Sequence, residues 1–305
     1  MAQPTDLPRI DGHELVKELG RGGMGAVYLA RDEALKRQVA VKVLLEADFA
    51  TPETLARFRH ESEAVARLRH PGIVQVYASG HTDGVPWFSM EYVEGTPLTP
   101  TLGRGAEGIR RAAALVEVVA RALDHAHRQG LIHRDVKPAN ILVDASGRPY
   151  VTDFGVARWN RPEDALGSKR MTLDGSLVGT VAYMAPEQAL GDLDAIGPAT
   201  DVWSLGVVLY ELLAGTPPFT APTQLEAIRK ILTEKPPSPA WIRPEIPSAL
   251  ETIVTRCLER EPGARYASAA ALADDLGAFL EGKPLPSAGT SPKGGGLLGR
   301  LFGRE

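Results

Sequence analysis

Residues 131–155 read LIHRDVKPANILVDASGRPYVTDFG, and this stretch decides how the rest of the chain is read. NILV and PYV are short apolar runs of strand character on either side of the turn sequence DASG, so the pattern predicts a hairpin. A hairpin there returns the chain and sets Asn140, just before its first strand, near Asp153, just after its second. An amide oxygen and a carboxylate brought together suit Mg2+, a hard cation that prefers oxygen ligands and keeps phosphates as co-ligands. Asp135 stands five residues before Asn140 on the same loop. It is placed to orient a hydroxyl and accept its proton as a γ-phosphoryl group is transferred. Lys137 is placed to offset charge on that group.

Upstream, LGRGGMGAVYLA sets Gly20, Gly22 and Gly25 between two apolar strands. Glycines let the backbone approach an anion closely, and their amides can cradle phosphate oxygens. A G-x-G-x-x-G run also occurs in dinucleotide-binding folds, where it leads from a strand into a helix. Here AVYLAR reads as a strand, which excludes that site and leaves a phosphate loop or a plain glycine hairpin. In QVAVKVL the period of two puts Ala40 and Lys42 on one face and Val39 and Val41 on the other. A lysine so placed is ordinarily on a solvated face. The following helix, TPETLARFRHESEAVARLRH, alters that expectation. Thr51 can cap it, Pro52 suits its first turn, and its apolar stripe runs Leu55, Phe58, Val65, Leu68. Glu61 falls inside the stripe, whereas Glu63 points away. A carboxylate on a core-facing stripe is costly unless paired, and Lys42 is the available partner; the alternative for Glu61 is an exposed stripe edge.

The wider pattern is strand-rich from about Ile10 to Val93, with one helix, and helical thereafter. RRAAALVEVVARALDHAHRQG is amphipathic, DVWSLGVVLYELL is apolar nearly all round, and SALETIVTRCLE and SAAALADDLGAFLE follow. From about Gly282 the composition becomes that of a flexible linker, KPLPSAGTSPKGGG. The chain has 305 residues, enough for two lobes with sizeable cores, and a net charge of −4, which leaves no basic footprint for nucleic acid. Cys257 is the only cysteine, so no internal disulfide forms, and a small buried hydrophobe is its expected role. No signal peptide is visible at the start, and the longest apolar segment is too short to span a bilayer. These features predict a soluble cytoplasmic protein.

GRGGMGAV, VAVK, Glu61, HRDVKPAN, DFG and APE occur in the order and spacing of a protein kinase, and the chain most resembles the bacterial serine/threonine protein kinases similar to eukaryotic ones. The resemblance covers roughly Ile10 to Gly282. It implies an α+β, two-lobed protein kinase fold: a small β-rich lobe with one key helix over residues 10–93, a larger, mainly α-helical lobe over 94–281, and a flexible tail over 282–305. It also implies ATP as phosphoryl donor, Mg2+ or alternatively Mn2+ as the metal, and protein serine or threonine hydroxyls as acceptors.

By this resemblance Leu19, Gly20, Gly22, Gly25 and Val27 would contact ATP, with the glycine loop over its phosphates. Lys42 would contact the α and β phosphates and pair with Glu61. Met90 looks like the gatekeeper; Glu91 and Val93 would bind the adenine edge through their backbone, and Val27, Ala40 and Leu142 would sandwich the ring. Asp135 would be the catalytic base, assisted by Lys137, with Asn140 and Asp153 as metal ligands. Val65, Val76, His133 and Phe154 resemble the spine of the active state, anchored by Asp201, and Glu187 would pair with Arg265.

Residues 153–187 resemble an activation segment. Thr180 fits the threonine that bridges Asp135 and Lys137, Tyr183 is expected to pack, and Thr172 and Ser176 are the expected autophosphorylation sites. A phosphate there would pair with Arg134, although Asp174 supplies some negative charge unmodified, and autophosphorylation implies self-association. Lys137 points to serine or threonine acceptors; Ala139 and Pro97, where arginine-directed kinases often carry acidic residues, argue against a strong preference for basic substrates. A pseudokinase scaffold would lack one of Lys42, Glu61, Asp135, Asn140 and Asp153, and all are present. A small-molecule kinase would have no need of GTVAYMAPE with Arg265. In the tail, Leu297, Leu298, Leu301 and Phe302 could form one face of a short helix beside Arg300 and Arg304. So short a helix is marginal in water, so a disordered tail without membrane contact is expected.

Overall fold

The computed structural model describes residues 7–22, 25–44, 62–99, 105–154 and 181–289. The chain divides into two compact units, Met1–Gly95 and Thr96–Glu305.

The first unit holds an antiparallel sheet of five strands: β1 (His13–Gly22), β2 (Gly25–Asp32), β3 (Gln38–Leu44), β4 (Val76–Thr82) and β5 (Val85–Glu91), in the order β1-β2-β3-β5-β4. Alternation along β2 and β3 sorts its side chains onto two faces. Ala26, Tyr28, Ala30, Val39, Val41, Val43 and Trp87 form a core with Ile10 on one of them. Register places Val27 opposite Lys42, Leu29 opposite Ala40, Ala40 opposite Met90 and Lys42 opposite Phe88, so these residues share the other face. Trp87 is seated by its indole N–H donating to Thr82 Oγ1 at 3.1 Å. A Cβ on Gly80 would lie 2.5 Å from that indole ring, which is why a glycine stands there. Residues 62–66 are helical and carry the buried Val65.

The second unit has a small sheet, β6 (Gly95–Pro97), β7 (Ile141–Asp144) and β8 (Pro149–Val151), and seven helices among the described residues. These are α1 (Gly105–Arg128), α2 (Pro186–Ala189), α3 (Pro198–Ala214), α4 (Gln224–Thr233), α5 (Pro239–Ile242), α6 (Ser248–Cys257) and α7 (Ala269–Glu281). Helix α3 is the centre of this unit: it is buried from Thr200 to Leu213 and packs against α1, α6 and α7. Pro198 suits its first turn, and Gly215 ends it in the left-handed conformation at φ +85°. Its approach to α6 depends on Gly206, where a Cβ would stand 2.3 Å from Cys257 Cβ. Cys257 is fully buried, and burial pushes its thiol far above the ordinary range, as expected of an inert packing residue. Among the described residues no helix is long and apolar enough to cross a membrane.

Candidate active site

The hairpin expected from residues 140–153 is present. Ile141 pairs with Val151 and Leu142 with Tyr150. The DASG turn is closed by Asp144 Oδ1, which accepts from Ser146 Oγ at 2.6 Å, Ser146 N at 2.9 Å and Arg148 N at 3.0 Å. The Ser146 hydroxyl first, then the Arg148 amide, hold this exposed carboxyl below its usual range. One further ladder bond, Thr152 N–H to Asn140 O at 3.0 Å, carries the pairing outward and leaves Asp153 one residue past the Asn140–Thr152 pair.

Asn140 closes a 3-10 turn, Pro138–Asn140. Its Nδ2 donates to Asp135 O at 2.8 Å and to Asp135 Oδ2 at 3.0 Å. With the amide nitrogen so committed, Oδ1 is the atom Asn140 offers to a ligand. Lys137 Nζ lies 2.9 Å from the same Asp135 Oδ2. The oxygens of Asn140 and Asp153 are hard donors, and this donor chemistry fits Mg2+ or a similar divalent cation.

A buried carboxylate underpins the loop. Asp201, in the first turn of α3, has no exposed surface, and three donors converge on it: His133 N–H at 2.8 Å and Arg134 N–H at 2.8 Å, with His127 Nε2 at 2.7 Å. The His133 ring is fixed at both nitrogens. Nδ1 accepts from Asp135 N–H at 3.3 Å, so Nε2 carries the proton it donates to Thr152 O at 2.8 Å. The ring also lies against Phe154, with centroids 4.6 Å apart. The loop is thereby tied to the hairpin end that carries Asp153. Arg134 and Asp153 have φ of +68° and +64°, a region that side chains with a Cβ seldom enter. The other described non-glycine residues with positive φ, Lys36 and Asp83, sit in strand turns. Among the described residues, positive φ at a non-glycine away from turns is found at the two residues flanking this cluster.

The segment from Val181 to Gln188 is held to the same unit. Glu187 and Arg265 are paired bidentately at 2.8 Å and 2.8 Å with almost no exposure, the ion pair that the resemblance implied. Gln188 Nε2 donates to Arg134 O at 2.8 Å, linking this segment to the loop of Asp135. Tyr183 packs as expected, and its hydroxyl donates to Glu211 Oε2 at 2.6 Å. Burial, then that bond, raises the phenol well above its ordinary range, and burial raises Glu211 as well.

In the first unit Lys42 is buried at 8 % exposure rather than solvated, on the sheet face it shares with Val27, Ala40 and Met90. Glu91 N–H donates to Gln75 O at 2.8 Å, and Val93 is half-buried. Leu19, Gly20 and Gly22 lie exposed at the end of β1. Gly25 has φ +155°, and a Cβ there would be 2.1 Å from Val43 O, so the loop needs a glycine at this point. Leu142 is half-buried on β7. Glu61, Thr172, Asp174, Ser176, Thr180 and the tail residues 290–305 lie outside the described residues. Sequence reasoning missed His127 and Gln188, and also helix α4, although Thr223 capping Glu226 N–H is a readable start signal.

A family model described as protein kinase domain matches residues 13–276. The chain belongs to the protein kinase family. Its curated relatives include a probable serine/threonine-protein kinase of Streptomyces coelicolor, 40% identical over 281 residues, and serine/threonine-protein kinase PknB of Mycobacterium tuberculosis, 39% identical over 290 residues. These alignments take in 90% and 93% of this chain but 40% and 45% of the relatives, so the kinase spans less than half their length. Among solved structures the kinase domain of Mycobacterium tuberculosis PknI is similar, with a TM-score of 0.68 and 30% identity over 88% of this chain and 97% of that one. The expected protein kinase fold, with a β-sheet amino-terminal region and a helical carboxy-terminal region, is the fold of this chain.

Proposed function

We propose that this kinase transfers the γ-phosphoryl group of ATP to serine and threonine hydroxyls of proteins. The observation that carries the reading is the Asp135 carboxylate, oriented by the Asn140 amide at 3.0 Å and the Lys137 ammonium at 2.9 Å. In this reading Asp135 takes the proton of the acceptor hydroxyl as its oxygen attacks the γ-phosphorus and ADP leaves. Lys137 offsets charge on the transferred group. Asn140 Oδ1 and the Asp153 carboxylate would hold the metal, Mg2+ or Mn2+. When bound, the metal neutralises phosphate charge and orients its oxygens. Lys42 contacts the α and β phosphates and pairs with Glu61; Leu19, Gly20, Gly22, Gly25 and Val27 close over ATP. Ala40, Met90 and Leu142 contact the adenine ring, whose edge meets the backbone of Glu91 and Val93.

Serine or threonine as acceptor is supported by Lys137 and by the names of the relatives. The same reading has a second copy of the chain phosphorylate Thr172 or Ser176. It places the kinase in the cytoplasm, without nucleic acid as a partner, in keeping with its net charge of −4. The test is the purified chain with Mg2+ and labelled ATP, beside Asp153→Asn, on a generic serine/threonine protein substrate with phosphosite mapping. Labelling by the wild type that falls at least about a hundredfold in the variant is expected. Equal labelling by both, or none by a wild type that binds ATP, would overturn the reading.

A further inference from the structure

Among the described residues a further carboxylate, Asp275 on α7, has no exposed surface. Three donors meet on it: the Tyr266 hydroxyl on Oδ2 at 2.6 Å, the Ser287 N–H on Oδ1 at 3.0 Å, and the Ser287 hydroxyl on Oδ2. Two of the three belong to a residue beyond the matched kinase range, which ends at residue 276. Gly282 ends α7 in the left-handed conformation at φ +69° and turns the chain back, and Pro286–Gly289 then forms a 3-10 turn against the helix. Arg256 lies over the Tyr266 ring at 4.7 Å and donates from one guanidinium nitrogen to Ser287 O at 3.4 Å. The stretch that composition marks as flexible linker therefore begins as a strap. Among the described residues, the hydrogen bonds that fasten residues 284–289 to the helices run through Ser287.

We propose that Ser287 is a phosphorylation site and that its modification unlatches this strap. The proposal rests on the serine/threonine kinase reading for its phosphate source. Ser287 Oγ of one copy attacks the γ-phosphorus of ATP held by another. The bond from γ-phosphorus to the β–γ bridging oxygen breaks, ADP leaves, and the hydroxyl proton passes to Asp135. The product oxygen has lost the hydrogen it gave to Asp275, and it now carries a group of nearly two negative charges. That group faces a buried carboxylate at hydrogen-bond range, an arrangement that like-charge repulsion and desolvation both oppose. Asp275 keeps Tyr266 as donor. The phosphate is drawn instead toward the half-buried Arg256 or into water, and because the strap is a single 3-10 turn it can leave without unwinding a helix. Half-buried Ser287, between Pro286 and small residues, becomes reachable in the same opening.

The experiment uses the full chain in two arms. In the first, phosphoserine is installed at position 287 during synthesis, independently of the chain's own activity, and hydrogen exchange is followed over residues 283–289. Exchange at least about tenfold faster than in the unmodified chain, with α1 and α3 still protected, is expected, since the latch loses both serine donors. Unchanged exchange, or loss of protection throughout α1 and α3, would overturn the latch. In the second arm the chain is incubated with Mg2+ and ATP beside Ser287→Ala and a generic serine/threonine protein. Phosphate mapped to Ser287 and absent from the variant supports the proposal. A labelled generic substrate with Ser287 unmodified overturns it, while no label anywhere shows that the catalytic reading has failed and the proposal with it.

Discussion

Replacing Arg265 by methionine is the most demanding test of how this structure is held together. All five N–H donors of its guanidinium are used. They reach Glu187 Oε1 and Oε2 at 2.8 Å each, and the carbonyls of Ala199 at 2.8 Å, Arg260 at 2.9 Å and Glu259 at 2.8 Å. Arg265 and Glu187 are exposed by only 2 % each. Methionine fills much of the volume but leaves a buried carboxylate with Thr200 Oγ1, at 2.8 Å, as its remaining donor. Removing one member of a buried ion pair costs about 3–5 kcal/mol. Three carbonyls that lose a donor push the figure toward the upper end, about 5 kcal/mol. A domain is stable by only about 5–15 kcal/mol, and for a unit of this size each kcal/mol moves the melting temperature by roughly 2–4 °C. The expected fall is therefore about 10–20 °C by differential scanning calorimetry. Replacing Glu187 and Arg265 together by methionine leaves no unpaired charge at this site, so the double variant should regain most of that loss. A single variant melting within about 3 °C of the wild type would refute the reasoning on the same scale. So would a double variant no more stable than the single.

Two further outcomes follow from packing and titration. Gly206→Ala puts a methyl 2.3 Å from Cys257 Cβ at the α3–α6 crossing, so α3 must shift; a loss of about 1–3 kcal/mol in chemical denaturation is expected. Glu211 is held above its ordinary range by burial, so the folded state keeps its proton to higher pH than the unfolded state does. The stability this gives is present below the ordinary glutamate range and is lost as pH rises through the raised value. Glu211→Gln cannot titrate, so its melting temperature should gain on the wild type between acidic and neutral pH, and a difference independent of pH would contradict the assignment.

What could be read in advance divides along physical lines. The β7–β8 hairpin, the two faces of β3 and the buried character of α3 are local patterns, and each is found as the period of its side chains dictates. Lys42 looked solvated by the usual habit of lysine; its helix neighbours argued otherwise, and it is buried. Helix α4 is short, and its apolar letters do not mark one buried stripe, since Leu225 is exposed while Ala227, Ile228 and Ile231 are buried; its Thr223 cap is the clearer signal. His127 and Asp201 meet across 74 residues, Gln188 and Arg134 across 54. No periodicity encodes such a pairing, since a buried polar side chain declares its need of a partner but not which partner. The strap at Ser287 was hidden for the opposite reason. Its composition is that of a linker, and a single buried carboxylate twelve residues away makes it part of the fold.

The long-range contacts that were hardest to read are also the ones that place the chemistry. Arg134 and Asp153 sit in a backbone region costing roughly 1–2 kcal/mol each. Asp201 grips the two amides that lead into the first strain, those of His133 and Arg134, and Gln188 takes up the Arg134 carbonyl on its far side. His133, with its tautomer set by Asp135 N–H, then holds Thr152 O immediately before the second. Asp135 lies between these fixed points, its carboxylate aimed by Asn140 and Lys137. Truncating Asp201 would release the His133 and Arg134 amides at once, and both strained residues could relax without any change in the side chains proposed to carry the reaction. The loop of Asp135 owes its shape to α3, a helix that contributes none of the groups proposed to touch ATP.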